Sequence, residues 1–135
     1  MSLVNLTVDG KPVEIEEGKY VLEAARAAGV TIPTLCYHEA LTPYGGCRMC
    51  VVEIVKGSRK RLVTSCTYPV EEGLVVITNS PQIHNVRKMV MELLLARCPN
   101  VKLLQDMARD YEIDTSRLRV IGDDDCILCG LCARM

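Results

Sequence analysis

The chain has no Phe and no Trp, so a core built from its 135 residues must be filled by Val, Leu, Ile, Met and Ala. It also has almost no net charge: 16 Lys plus Arg stand against 17 Asp plus Glu, a formal −1. No global field exists to draw in phosphate backbones or anionic lipid, which argues against nucleic acid as a partner. The N-terminus lacks the basic start and continuous apolar run of a secretory signal and enters alternating apolar and polar residues at once. No stretch is long and apolar enough to cross a bilayer. These absences place the expected location in the cytoplasm, and the length favours one compact core with an appendage.

What the sequence has in quantity is cysteine, eight in all. In a reducing compartment disulfides are rare, so metal or redox chemistry is the expectation for so many thiols.

Local patterns give the organisation. Val4, Leu6 and Val8 alternate with polar residues up to Asp9-Gly10, a dipeptide suited to a tight hairpin, and Val13 and Ile15 resume the alternation. Val21 to Ala28 is Ala-rich with helical spacing, and Gly29 stands where such a helix would end. Residues 31–50 contain Pro33, Pro43, Gly45 and Gly46 without periodicity and predict a long functional loop. A strand-like run over 51–55, a turn over 56–60 and a return over 61–64 follow, then a turn at Glu71-Glu72-Gly73 into a strand over 74–78. Ser80-Pro81 opens a helix, capping residue first and proline in the first turn, with Ile83, Val86, Val90, Leu93 and Leu94 as its apolar stripe. Pro99 ends it, and Asn100 is the expected cap of a second helix carrying Val101, Leu104, Met107 and Tyr111. The expected units are residues 1–79, a two-helix extension over 80–113, and a linker with a cysteine run over 114–135.

Cys36, Cys47, Cys50 and Cys66 read C-x10-C-x2-C-x15-C, three in the loop and one after a strand. Four thiolates is the ligand count of a 2Fe-2S cluster. Gly45 and Gly46 let backbone approach such a cluster and aim N–H groups at its sulfurs. A tetrahedral zinc site is the competing use of four cysteines, although its usual two C-x2-C pairs reduce here to Cys47 and Cys50 alone. A disulfide framework is the third use, disfavoured by the missing export signal.

The stretches Ile32-Pro33-Thr34-Leu35-Cys36-Tyr37-His38, Gly45-Gly46-Cys47-Arg48-Met49-Cys50-Val51-Val52-Glu53 and Thr64-Ser65-Cys66-Thr67 resemble the 2Fe-2S domain that opens the large iron-sulfur subunit of respiratory complex I. Similar domains begin the diaphorase iron-sulfur subunit of NAD-coupled hydrogenases, many iron-only hydrogenases and some NAD-linked formate dehydrogenases. The resemblance covers residues 1 to about 97 and implies an α+β chain with a beta-grasp fold, a sheet clasping one helix. In those relatives the next segment binds a 4Fe-4S cluster through one His and three Cys. Here Cys98 stands where that His would be, and no further cysteine follows until Cys126. That second cluster is therefore expected to be absent, with Cys98 a small, buried or half-buried thiol at a helix end.

His38 and His84 are the only histidines, and their separation argues against a paired ligand role on one iron. The basic run Lys56, Arg59, Lys60 and Arg61 is expected to be a solvated hairpin tip. Cys126, Cys129 and Cys132 match the opening of the bacterial ferredoxin run C-x2-C-x2-C-x3-C, whose fourth cysteine would fall at position 136. They suggest a partial 4Fe-4S set, completed only in a longer chain, or else a flexible tail with reactive thiols.

The functional expectation is an electron-transfer iron-sulfur subunit with no catalytic site of its own, since no nucleotide-binding glycine fingerprint and no Ser-His-Asp arrangement is present. The resemblance implies partners on both sides: a flavoprotein NAD(P)-binding subunit and a catalytic metal subunit of a hydrogenase or dehydrogenase. Two alternatives accompany it, an electron-input domain opening a catalytic iron-only hydrogenase or formate dehydrogenase, and a non-redox zinc-binding module.

Overall fold

The computed structural model describes residues 2–135. Strands β1 (Leu3–Val8) and β2 (Lys11–Glu16) pair antiparallel in the expected register, Val4 opposite Ile15 and Leu6 opposite Val13. Asp9 and Gly10 both take the left-handed conformation that a two-residue hairpin turn requires (φ 52° and 80°). Helix α1 (Val21–Ala27) follows, its Glu23 carboxylate accepting from the Tyr20 N–H at 2.9 Å. It buries Val21, Leu22, Ala24 and Ala25 on the sheet and stops before Gly29.

After the loop come β3 (Val51–Lys56), β4 (Arg59–Thr64) and β5 (Val75–Ile77). The sheet order is β2-β1-β5-β3-β4, with β1 and β5 parallel and every other pair antiparallel. This mixed sheet over one helix matches the expected beta-grasp architecture. The β3–β4 turn is tighter than its polar composition suggests. Lys56 pairs with Arg59, leaving only Gly57 (φ 60°) and Ser58 in the turn. Arg59, Lys60 and Arg61 therefore lie along β4, an edge strand, not at a hairpin tip. Charge on an exposed edge discourages pairing with another chain, which gives the run a structural reason.

Helix α2 (Pro81–Arg97) starts as expected: the Ser80 hydroxyl accepts from the Ile83 N–H at 3.2 Å. The same hydroxyl donates to the Glu53 carboxylate at 2.5 Å, tying the helix start to β3. Its buried stripe is Ile83, Arg87, Met91 and Leu95. Leu93, expected on the apolar face, is 68% exposed; a charged residue, Arg87, sits within the true stripe, so an apolar count is rotated away from it. Helix α3 (Lys102–Asp110) is capped by Val101 and not by Asn100. The short α4 (Leu131–Arg134) closes the described chain.

Two apolar cores result. The first lies between the sheet and α1 and includes Leu6, Val8, Leu22, Val52, Ile54 and Val76, together with Cys50 and Cys66. The second joins Leu35 and Met49 of the loop to Met91 and Leu95 of α2, Cys98 and Leu104 of α3, and Cys47 packs against it. The ligand loop is thus the layer between two cores.

Candidate metal centre

Each of the first four cysteines is held by an identifiable piece of backbone. Cys36 and Cys47 lie in the irregular segment, and the Cys47 N–H points at the Cys36 sulfur at 3.5 Å. The Met49 N–H points at the Cys47 sulfur at 3.4 Å. Cys50 directly precedes β3, and its carbonyl accepts from both the hydroxyl (2.7 Å) and the N–H (3.2 Å) of Ser65. Cys66 follows β4 in a turn whose carbonyls, at Ser65 and Tyr68, accept the first free N–H groups of α1, from Leu22 and Val21, at 2.9 Å each. Cys36, Cys50 and Cys66 are all buried and Cys47 is half-buried.

Three of the four thiols are shifted by their surroundings. The Cys50 thiol is pushed down to about 6, chiefly by its hydrogen bond with the Cys66 thiol. Cys66 is pushed up by that same pairing, then by burial and by the charges of Cys50, Cys36 and Cys47. Burial, against backbone hydrogen bonds from Met49 and Cys36, raises Cys47. No three His, Cys, Asp or Glu side chains among the described residues converge as ligands of a single ion.

The glycines fit that arrangement unequally. Gly45 is buried at φ 71°, and a Cβ there would come within 3.0 Å of the Thr67 Cγ2 and 3.3 Å of the Thr64 Oγ1. It is the close approach that seats the loop on the Cys66 turn. At Gly46 a Cβ would meet only the exposed Tyr44 ring. Four thiols, three in the loop and Cys66 just after β4, with N–H groups on the Cys36 and Cys47 sulfurs fit a 2Fe-2S cluster held by those thiolates.

The histidines take no part: exposed His38 accepts the Ala40 N–H at 3.1 Å, and exposed His84 bonds Asn79. Cys98 is buried at the C-cap of α2, as expected, and donates to the Cys126 carbonyl at 3.3 Å. The cysteine run at 126–132 is not gathered into a ligand set. Cys126 and Cys132 are exposed, while Cys129 shares a cleft of about 350 Å³ with Cys36, Cys47 and Leu94. The tail is nonetheless docked. The N–H groups of Ile121 and Gly122 donate to the Ala96 carbonyl, and Arg134 donates to the carbonyls of Thr42 and Cys36 while lying over the Tyr44 ring.

Sequence reasoning missed Arg87, although it sits four residues from both Ile83 and Met91 on the helix. Its Nε donates to the Met49 carbonyl at 3.2 Å and its Nη2 to the Val51 carbonyl at 3.1 Å, bracketing Cys50. A lone charge on an apolar stripe was the signal available.

The family described as 2Fe-2S iron-sulfur cluster binding domain matches residues 2–81. The mitochondrial NADH-ubiquinone oxidoreductase 78 kDa subunit of Neurospora crassa is 46% identical over 120 residues, 89% of this chain and 16% of that protein. A subunit of the NADH-quinone oxidoreductase of Rickettsia bellii is 42% identical over 124 residues, 85% of this chain and 18% of that protein. A crystal structure of an NAD+-reducing [NiFe]-hydrogenase in the H2-reduced state superposes with a TM-score of 0.82 at 32% identity, covering 97% of this chain and 64% of that one. The chain thus spans less than a fifth of the length of these two curated relatives.

Proposed function

Because the chain belongs to the 2Fe-2S iron-sulfur cluster binding domain family, we propose that Cys36, Cys47, Cys50 and Cys66 hold one 2Fe-2S cluster and that the chain relays single electrons. The observation that carries this reading is the burial of Cys36, Cys50 and Cys66 beside half-buried Cys47, with the N–H groups of Cys47 and Met49 aimed at the Cys36 and Cys47 sulfurs. Such a cluster supplies one-electron chemistry, near −400 mV in plant-type ferredoxins. The protein's own part is to bury the site, aim the Cys47 and Met49 N–H groups at sulfur and fix the loop against Thr64 and Thr67.

The setting proposed is an NAD-coupled hydrogenase or complex I-like dehydrogenase, in which this chain passes electrons between a flavin and NAD(P)-binding subunit and a catalytic metal subunit. Its similarity to components of NADH oxidoreductases and of an NAD+-reducing hydrogenase supports that setting. No helix among the described residues is long and apolar enough to cross a membrane, and a cytoplasmic location, where eight thiols stay reduced, suits the proposal. Residues 1–79 form the cluster domain in this reading, 80–113 its helical buttress, and 114–135 a segment whose Cys126, Cys129 and Cys132 contribute part of a 4Fe-4S ligand set.

Copurification with tagged chain tests the setting. Recovery of a flavoprotein that reduces the bound cluster with NADH or NADPH is the expected result. Failure of NAD(P)H to reduce the cluster in the isolated assembly would contradict it.

A further inference from the structure

Arg87 is 5% exposed, and no carboxylate pairs with it among the described residues. Its two hydrogen bonds go to neutral carbonyls, those of Met49 and Val51. A buried cation left in that state carries a desolvation cost, and two carbonyls do not cancel its charge. The ionisable groups facing it are Tyr111 and the thiol of Cys50. The two acceptor carbonyls flank Cys50, so the guanidinium lies against the backbone that carries that proposed ligand.

We infer that Arg87 is the counter-charge of the 2Fe-2S centre, placed by α2 behind Cys50 so that it favours the reduced cluster and raises the reduction potential. The inference rests on the proposed ligand assignment. Two ferric ions, two sulfides and four thiolates carry a net negative charge, and one electron from an external reductant makes it more negative by one with every ligand bond kept. A fixed buried cation stabilises the more negative state more strongly, because the attraction grows with the charge it faces in a low-dielectric layer. Burial holds the guanidinium somewhat below its ordinary pKa, with Tyr111 and Cys50 opposing that effect. Arginine remains cationic under such pressure.

The test compares the full chain with Arg87→Gln and Arg87→Lys, reading iron and sulfide content first and then the midpoint potential in a dithionite titration. Absence of iron and sulfide from the unaltered protein would reject the ligand assignment itself, separately from the role of Arg87. With the cluster present, Arg87→Gln should lower the reduction equilibrium about tenfold, a shift of about 59 mV for one electron, toward more negative potential. Arg87→Lys should stay near the original value. An unshifted Arg87→Gln potential overturns the inference, and so does an equal shift in both variants, which would assign the effect to the carbonyl hydrogen bonds. If Arg87→Gln does not retain iron, Arg87→Lys decides: retention with a near-original potential supports the counter-charge, and loss in both variants assigns Arg87 a purely structural role.

Discussion

At the scale of single residues, the site depends on positions that tolerate only one side chain. Gly45 combines a left-handed backbone with a close approach to Thr64 and Thr67. Gly45→Ala should cost about 1–2 kcal/mol from the backbone conformation alone, with more from the 3.0 Å contact. Thermal unfolding should fall accordingly, and chelators should remove iron faster. Gly46→Ala should have the smaller effect, since its one close neighbour is an exposed ring that can turn aside. Cys98→Ala removes a buried sulfur but no proposed ligand, so the paramagnetic signal of the reduced cluster should persist with unchanged g-values. Loss of that signal would mean that Cys98 belongs to the centre. The cysteines and glycines stand out in the sequence because their chemistry is local and rare. Arg87 was not, because its partners are carbonyls 36 and 38 residues away, and nothing in a helix pattern announces a buried charge that bonds to backbone.

At the scale of elements, α2 connects the sheet to the loop. Its start is fixed twice by Ser80, which caps the helix and donates to the buried Glu53 carboxylate. Ser80→Ala should cost about 1 kcal/mol for the cap, with a further penalty for leaving Glu53 without its donor. Ser80→Thr should recover most of both, as read by urea denaturation. Further along, Met91 is fully buried against Leu35 and Met49. Met91→Ala should destabilise by about 2–5 kcal/mol and loosen the loop side of the site before the sheet unfolds, which hydrogen exchange at residues 35–49 would detect. The β1–β2 hairpin and both ends of α2 could be read from local turn and cap chemistry. The parallel β1–β5 pairing could not, since it joins Thr7 to Val75 without any local signal. The β3–β4 turn was misjudged for a related reason: charged residues serve an edge strand as well as they serve a turn.

At the scale of the whole molecule, one cluster loop is clamped from three sides, by the sheet and α1 through Cys50 and Cys66, by α2 through Arg87 and Met91, and by the tail through Arg134. The arginine contact spans 98 residues of sequence and was beyond local reading. The tail is therefore expected to steady the loop without supplying ligands to it. Replacing Cys126, Cys129 and Cys132 together with serine, and measuring iron, acid-labile sulfide and the dithionite-reduced paramagnetic signal, tests the central assignment most directly. The account predicts two irons and two sulfides at the Cys36, Cys47, Cys50 and Cys66 site and an unchanged spin-one-half signal. A colourless protein with one zinc per chain, or loss of the signal with the tail cysteines, would contradict it.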